Sequence, residues 1–397
     1  MYINHFMHLS MEIILLISAF FLLVLCSVLL IECIAALFPV TSTINKIQAS
    51  NVAILVPAHN EESVIGNTLK NLKSTSPQYK IIVIADNCTD ATAQIARDAG
   101  VTVIERQDSQ NKGKGYALDY GLQFLDLNPP EVVVFVDADC LVERNAITLL
   151  TSKAMTTSRP VQATYLMEKP LQPTPRDSIS AFAFKVKNFV RSCGLVRMNL
   201  PCLLAGTGMA FPWSVIRSID LANSDIVEDM KLGLDLTIAG YPPIFCPEAR
   251  VIGSLPQSSK TAKNQRTRWE HGHIQTLLTY VPKLIRASIN QKRFDLFCSA
   301  LDLCIPPLSL FVAIWFGVMC ISLLFAFLMS IWIPVWITVV AGMFILTAIL
   351  IAWANFGRSD LPLLELLAVP FYILWKIPLY FKFLVQPQKT WVRTERE

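Results

Sequence analysis

The fold class read from this sequence is an α/β domain built on a mostly parallel sheet, with transmembrane helices at both ends. Three observations predict it. From Asn51 onward, short apolar runs rich in β-branched residues alternate with helix-like stretches. One of those runs, EVVVFVDADC at 131–140, ends on two aspartates, Asp137 and Asp139, separated by one residue. Long apolar blocks flank the alternating region on either side.

The strand-like runs are NVAILVP from Asn51, IIVIAD at 81–86, VTVIER at 101–106 and VVVFVD at 132–137. Helix-like stretches at 61–73, 89–99 and 115–125 separate them, so the order is β-α-β-α-β-α-β. Right-handed crossovers place such helices on both faces of a parallel sheet and gather the loops after each strand at its carboxyl edge, where ligands bind.

The flanks follow from composition. The 397 residues are 53% hydrophobic, which exceeds ordinary globular usage and implies membrane segments. An anchor is expected over 11–40, interrupted by Glu32, because about 20 apolar residues span a bilayer. A signal peptide is disfavoured: the run outlasts the usual stretch of roughly 7–15 residues, and neither a basic region nor a cleavage site accompanies it. The block 305–354, punctuated by Pro306, Pro307 and Pro334, reads as a hairpin of two spans joined near 330–334. The last block, 361–385, contains Glu365, Pro370, Lys376, Pro378 and Lys382, and reads as an interfacial or re-entrant helix. The expected divisions are therefore 1–45, 46–296, 297–357 and 358–397. Lys46, Lys292, Arg293 and Arg358 flank the spans on one side, which makes the central domain cytoplasmic and the protein integral to the cell's inner membrane.

Ten cysteines lack any C-x-x-C pair, so neither a zinc site nor a disulfide framework is expected. The net charge of +4, with no basic run interleaved with aromatics, argues against nucleic acid and suits membrane lipids.

The strand-end loops carry the chemistry. Asp137 and Asp139 supply hard oxygen donors suited to Mg²⁺ or Mn²⁺ carrying a phosphate. Asp86 ends its strand in the same way and can reach a base edge. In VPAHNEE, Pro57 and Ala58 expose a tight backbone and Glu61 offers a carboxylate to ribose hydroxyls, although Asn60, Glu61 and Glu62 equally suit a helix start. Thr89 or Asp90 would cap the next helix. The loop NKGKG sets Lys112 and Lys114 among glycines ahead of a helix, a polyphosphate site or a solvated loop.

Taken in order, VPAHNEE, IADNCTD, GKG, FVDADC, IVEDMKLG at 226–233 and QRTRW at 265–269, ahead of an apolar block, form a specific series. Over 51–272 and the membrane pattern, the chain resembles membrane-bound family 2 glycosyltransferases, the group of cellulose, chitin, hyaluronan and poly-N-acetylglucosamine synthases and of ceramide glucosyltransferase. The resemblance implies a GT-A fold, a UDP-sugar donor, a divalent metal (Mg²⁺ or Mn²⁺) and inversion at the anomeric carbon. By motif position it implies that Pro57, Ala58, Glu61 and Asp86 hold the nucleoside, with Lys114 near it. Asp139 ligates the metal, and Asp137 assists at the ribose or the metal. Asp229 is the base with Glu228 beside it, and Gln265, Arg268 and Trp269 close over diphosphate and acceptor. Gly206, Thr207 and Gly208 line the acceptor's approach. Three positions depart from the family: Ala85 where a second aspartate is common, Asn87 for glycine and Val227 for threonine.

A carboxylate such as Asp229 is needed because a sugar or lipid hydroxyl attacks poorly while protonated. An arginine such as Arg268 can grip two oxygens of the departing diphosphate at once. The acceptor is either a growing polysaccharide, which the Gln-x-x-Arg-Trp signature favours, or a membrane lipid receiving one sugar, which the few spans favour. A polymer would need a pore shared with a membrane partner subunit. The tail, with Trp391 and Arg393, reads as an interface anchor. A sugar-nucleotide sensor or scaffold is the non-catalytic alternative.

Overall fold

The computed structural model describes residues 2–39, 49–222, 227–255 and 259–385. Lys46, Ile226 and the tail with Trp391 and Arg393 lie outside the described residues. Strands β1 (Val52–Ala58), β2 (Lys80–Asp86), β3 (Thr102–Arg106) and β4 (Val132–Phe135) pair in parallel, as the alternation predicts. Four further strands extend the sheet: β5 (Leu141–Val142), β6 (Val161–Glu168), β7 (Met209–Pro212) and β8 (Ile244–Ser254). Their order, β3-β2-β1-β4-β7-β6-β8-β5, includes antiparallel pairings of β7 with β4 and β6, so the far half is mixed.

Residues alternate between the two faces. Ile54 and Val56 of β1 pack with Ile65, Leu69 and Leu72 of α2 (Ile65–Thr75), next to α3 (Thr92–Asp98). Ala53 and Leu55 face the opposite core, which holds Leu118 and Leu122 of α4 (Lys114–Leu125). Both faces are thus covered, which is why β1, β2 and β4 read as continuous apolar runs.

One local expectation needs correction. The helix read from Glu61 begins at Ile65, and Asn60 is not its cap. Asn60 instead adopts a left-handed conformation (φ 56°) and exchanges hydrogen bonds with Thr89, whose amide reaches its Oδ1 at 2.7 Å. Glu62 Oε2 accepts from the amide of Ala91. Their polarity joins two loops rather than starting one helix. Neither Thr89 nor Asp90 is the cap of α3, which is Ala91 with no side-chain cap, although Asp90 Oδ1 accepts from the amide of Thr92, the first residue of the helix, at 3.0 Å.

Beyond the first half come α5 (Ala146–Thr157), α6 (Pro175–Lys185), a π-helical turn at Val186–Arg191, α7 (Ser192–Arg197), α8 (Trp213–Ile216) and α9 (Glu228–Ile238). The long α10 (Ser259–Gln291) and α11 (Phe294–Cys304) lead to α12 (Leu308–Met329), α13 (Ile333–Ala352) and α14 (Val369–Val385). The amino-terminal helix is α1 (Tyr2–Ala35). Among the described residues, four stretches are long and apolar enough to cross a membrane: His8–Ala35, Leu308–Met329, Ile333–Gly357 and Leu363–Tyr380. The expected hairpin turns at Ser330, and the block 361–385, read from sequence as an interfacial or re-entrant helix, contains in Leu363–Tyr380 a stretch with the length and apolarity of a span.

Glu32, the acid that interrupts the first apolar block, is 1% exposed and accepts from Arg191 Nε at 2.7 Å. Arg191 also reaches Asp302 Oδ1 at 2.5 Å, so one guanidinium ties α1, the π-helical turn and α11 together. A buried acid persists beside an apolar span only with such a partner.

Candidate active site

The carboxyl ends of β1, β2 and β4 open into one cavity of about 850 Å³, lined by Pro57, Ala58, Glu61 and Asp86. Parallel pairing sets Asp86 opposite Arg106, whose Nη1 donates to Asp86 Oδ1 at 2.7 Å. Arg106 also donates to Asp108 and to the carbonyl of Asn111, so it fixes the strand end and the following loop as one unit. His59 lies 2.7 Å from the Asp86 carbonyl. Sequence reading missed Arg106, which there was only the last residue of an apolar run; its role depends on register.

Acids and one lysine occupy the middle of the cavity. Lys114, the first residue of α4, pairs with Asp137, lies 3.8 Å from Glu228 and donates to the Gly206 carbonyl at 2.8 Å. Burial works against its charge, but Asp137 and Glu228 outweigh it, and the ammonium's pKa is raised. Glu228 and Asp229 open α9, where the helix dipole favours negative charge. Burial raises both carboxyls above the ordinary range, with Lys114 pulling the other way. Gly206 must lack a side chain here: at φ +90° a Cβ would sit 3.2 Å from Asp229 Oδ2 and 3.7 Å from Lys114 Nζ.

Asp137, Asp139 and Cys140 bring ligand atoms within 4.8 Å of one another. The two carboxylates fit a hard divalent cation. Cys140 does not: its thiol donates to Asp139 Oδ1 at 3.6 Å, and burial with Asp139 and Asp137 beside it keeps the thiol protonated.

The opposite wall belongs to α10, which contributes Gln265, Arg268 and Trp269 to the cavity. Trp269 packs on Phe184 of α6 with ring centroids 5.6 Å apart. From there the cavity continues to Leu29 of α1, Ile305, Leu308 and Tyr372, residues of the apolar helices or their ends. One space therefore runs from the sheet edge to the candidate membrane spans.

The model of the family described as "Glycosyltransferase like family 2" matches residues 49–272, more than half of the chain. The chain belongs to this family. Among curated relatives of this family 2 member, a probable glycosyltransferase, YdaM, from Bacillus subtilis is 27% identical over 267 residues, 64% of this chain and 62% of its own length. A 4,4'-diaponeurosporenoate glycosyltransferase from Staphylococcus aureus is 35% identical over 92 residues, 22% of this chain and 24% of that protein. The chain thus spans less than two thirds of these curated relatives. A solved mannosyltransferase from Pyrobaculum calidifontis, in complex with GDP-Man and Mn²⁺, superimposes with a TM-score of 0.54 at 16% identity, over 87% of this chain and 99% of its own. That likeness shows a shared GT-A fold.

Against this geometry, most residues singled out in the family 2 motifs come together: Pro57, Ala58, Glu61, Asp86, Lys114, Asp137, Asp139, Gly206, Glu228, Asp229, Gln265, Arg268 and Trp269 line the one cavity. Thr207 and Gly208, expected on the acceptor's approach, stand behind its wall. Thr207 is fully buried, and its hydroxyl accepts from the Asp137 amide at 3.0 Å. A Cβ on Gly208 would meet Val251 at 2.7 Å and Ala163 at 2.8 Å, so its smallness serves sheet packing.

Proposed function

We propose that the chain transfers a sugar from a nucleoside diphosphate sugar, with inversion, to a hydroxyl of a membrane-borne acceptor. The observation that carries this reading is the continuity of one cavity from Asp86, Asp137 and Asp139 past Asp229 to Leu29 and Leu308. Asp86, oriented by Arg106, receives the nucleoside, with Pro57, Ala58 and Glu61 shaping its pocket. Asp137 and Asp139 would hold Mg²⁺ or Mn²⁺, which would offset charge on the diphosphate. Asp229 takes the proton from the attacking hydroxyl, helped by the burial that raises its basicity. Lys114 steadies the acids around it, and Arg268 supplies a fixed positive charge facing the departing diphosphate. Attack from the Asp229 side in one step inverts the anomeric centre.

UDP is the expected nucleotide, and the GDP-Man held by the Pyrobaculum mannosyltransferase makes GDP the competing one. A lipid acceptor is favoured over a growing polysaccharide by the apolar residues at the cavity's far end. The basic residues Lys292, Arg293 and Arg358 support a cytoplasmic catalytic domain on an inner-membrane anchor. A panel of UDP- and GDP-sugars with Mg²⁺ or Mn²⁺ and total membrane lipid tests the reading through nucleoside diphosphate release. Release from one donor class, lost with chelator, is expected; no release from any donor would leave a sensor or scaffold instead.

A further inference from the structure

The cavity has a second polar region that the transfer chemistry leaves unused. Lys187, on the π-helical turn, lines it and makes no hydrogen bond or ion pair among the described residues; burial and Arg191 lower its pKa, while Asp229, Asp302 and Glu270 support its charge. The neighbouring cations are committed elsewhere: Arg191 to Glu32 and Asp302, Lys376 to Glu270. His273 of α10 lines the same cavity and is 2% exposed. Its Nε2 lies 3.1 Å from the Leu303 carbonyl, and since a carbonyl only accepts, that nitrogen carries the ring proton. Burial, with Lys187 and Arg191 nearby, holds the ring's pKa down at about 3, so the imidazole is neutral. Nδ1 is then a bare acceptor, buried and without a hydrogen-bond partner.

An ammonium only donates, and a bare imidazole nitrogen only accepts. A hydroxyl does both. A phosphate or carboxylate would satisfy Lys187 but would face the lone pair of His273 and the carboxylate of Asp229, which repel it in a poorly screened space, while Asp302 and Glu270 are already paired with Arg191 and Lys376. We propose that Lys187 and His273 form a hydroxyl-binding subsite that receives a polyol head group, a sugar or glycerol carried on a lipid whose chain lies toward Leu29, Ile305 and Leu308. The acceptor class is then a neutral, hydroxylated lipid, an assignment that rests on the transferase reading above.

The test is binding, independent of turnover. The full chain in nanodiscs is titrated calorimetrically with octyl β-glucoside, octyl phosphate and cellobiose, each against protein-free nanodiscs. Octyl glucoside is expected to bind at least about tenfold more tightly than octyl phosphate, the scale of one hydrogen bond to a charged group. Lys187→Met should erase that preference and Lys187→Arg, which keeps the donors, should retain it. Tighter binding of octyl phosphate, or an undiminished preference in Lys187→Met, overturns the subsite. Cellobiose binding as tightly as octyl glucoside overturns the lipid assignment in favour of a glycan end. A glucoside preference without nucleoside diphosphate release from any donor would keep the subsite and sink the transferase reading; turnover with phosphate preferred would do the reverse.

Discussion

The two ends of the cavity are built differently. At the sheet edge, each functional acid sits at or just beyond a strand end and meets its cation locally: Asp86 pairs with Arg106 across adjoining strands, and Asp137 with Lys114 at the start of α4. At the membrane end, the polar groups come from helices far apart in sequence, as when Glu32 of α1, Arg191 and Asp302 of α11 form one buried cluster. The first arrangement positions ligand groups from short loops on a rigid scaffold, the usual way such folds carry sites. The second makes the chamber's shape depend on how the helices pack.

Four substitutions or conditions can break or sharpen that contrast. The largest expected effect is Asp229→Asn, which removes the proposed base and should lower kcat by about 10²–10⁴-fold while leaving donor affinity intact. Single-turnover kinetics with equilibrium donor binding separate the two, and a variant that turns over normally would dismiss Asp229 as the base. Next is Arg191→Ala, which strands Glu32 and Asp302 as buried acids; a loss of about 3–5 kcal/mol of stability is expected. Unfolding melts in detergent check this, and an unchanged melt would mean that the membrane end is not held by its charges.

At the donor end, Arg106→Ala should act on binding rather than on folding as a whole. The donor KM is expected to rise about tenfold, with acceptor KM steady, and Arg106→Lys should recover only part, because a lysine cannot hold Asp86, Asp108 and the Asn111 carbonyl together. An equal rise in acceptor KM would erase the distinction between the two ends.

The smallest effect is a pH shift. Burial raises the Asp229 carboxyl, and the proposed base would work only when ionised, so kcat should fall on the acid side at a pH above the ordinary carboxylate value of about 3.9. Lys187 lowers the Asp229 pKa, and Lys187→Met should therefore move that acid limb to still higher pH, by less than about one unit. A limb that moves the other way, or stays fixed, would separate Lys187 from the base electrostatically.

How much could be read from the sequence follows the same division. The alternation from Asn51 disclosed the parallel half of the sheet, because each strand there is covered on both faces and needs a continuous apolar run. Asp86, Asp137, Asp139, Glu228 and Asp229 were legible for a local reason: each ends or follows a strand, or opens a helix. Arg106 was not, since its partner is set by strand register and not by a neighbour in sequence. The loop carrying Asn60 misled because a residue good at capping one helix is equally good at tying two loops. Lys187, Arg191 and His273 belong to no short pattern, and Glu32 showed only as an interruption, because their meaning arises when separate helices pack together, Glu32 and Arg191 being 159 residues apart and His273 and Leu303 30. Thr207 and Gly208 sit inside a motif whose sequence does not say which side of the wall each residue occupies.

On the proposed function, one sugar passes from the sheet edge to a lipid at the membrane end. Mass spectrometry of the lipids extracted after incubating the full chain in vesicles with UDP- and GDP-sugars and Mn²⁺ tests it most directly. A single added hexose or N-acetylhexosamine on a neutral hydroxylated lipid is predicted. A ladder of sugar additions, or extracted lipids unchanged while a soluble glycan grows, would contradict it.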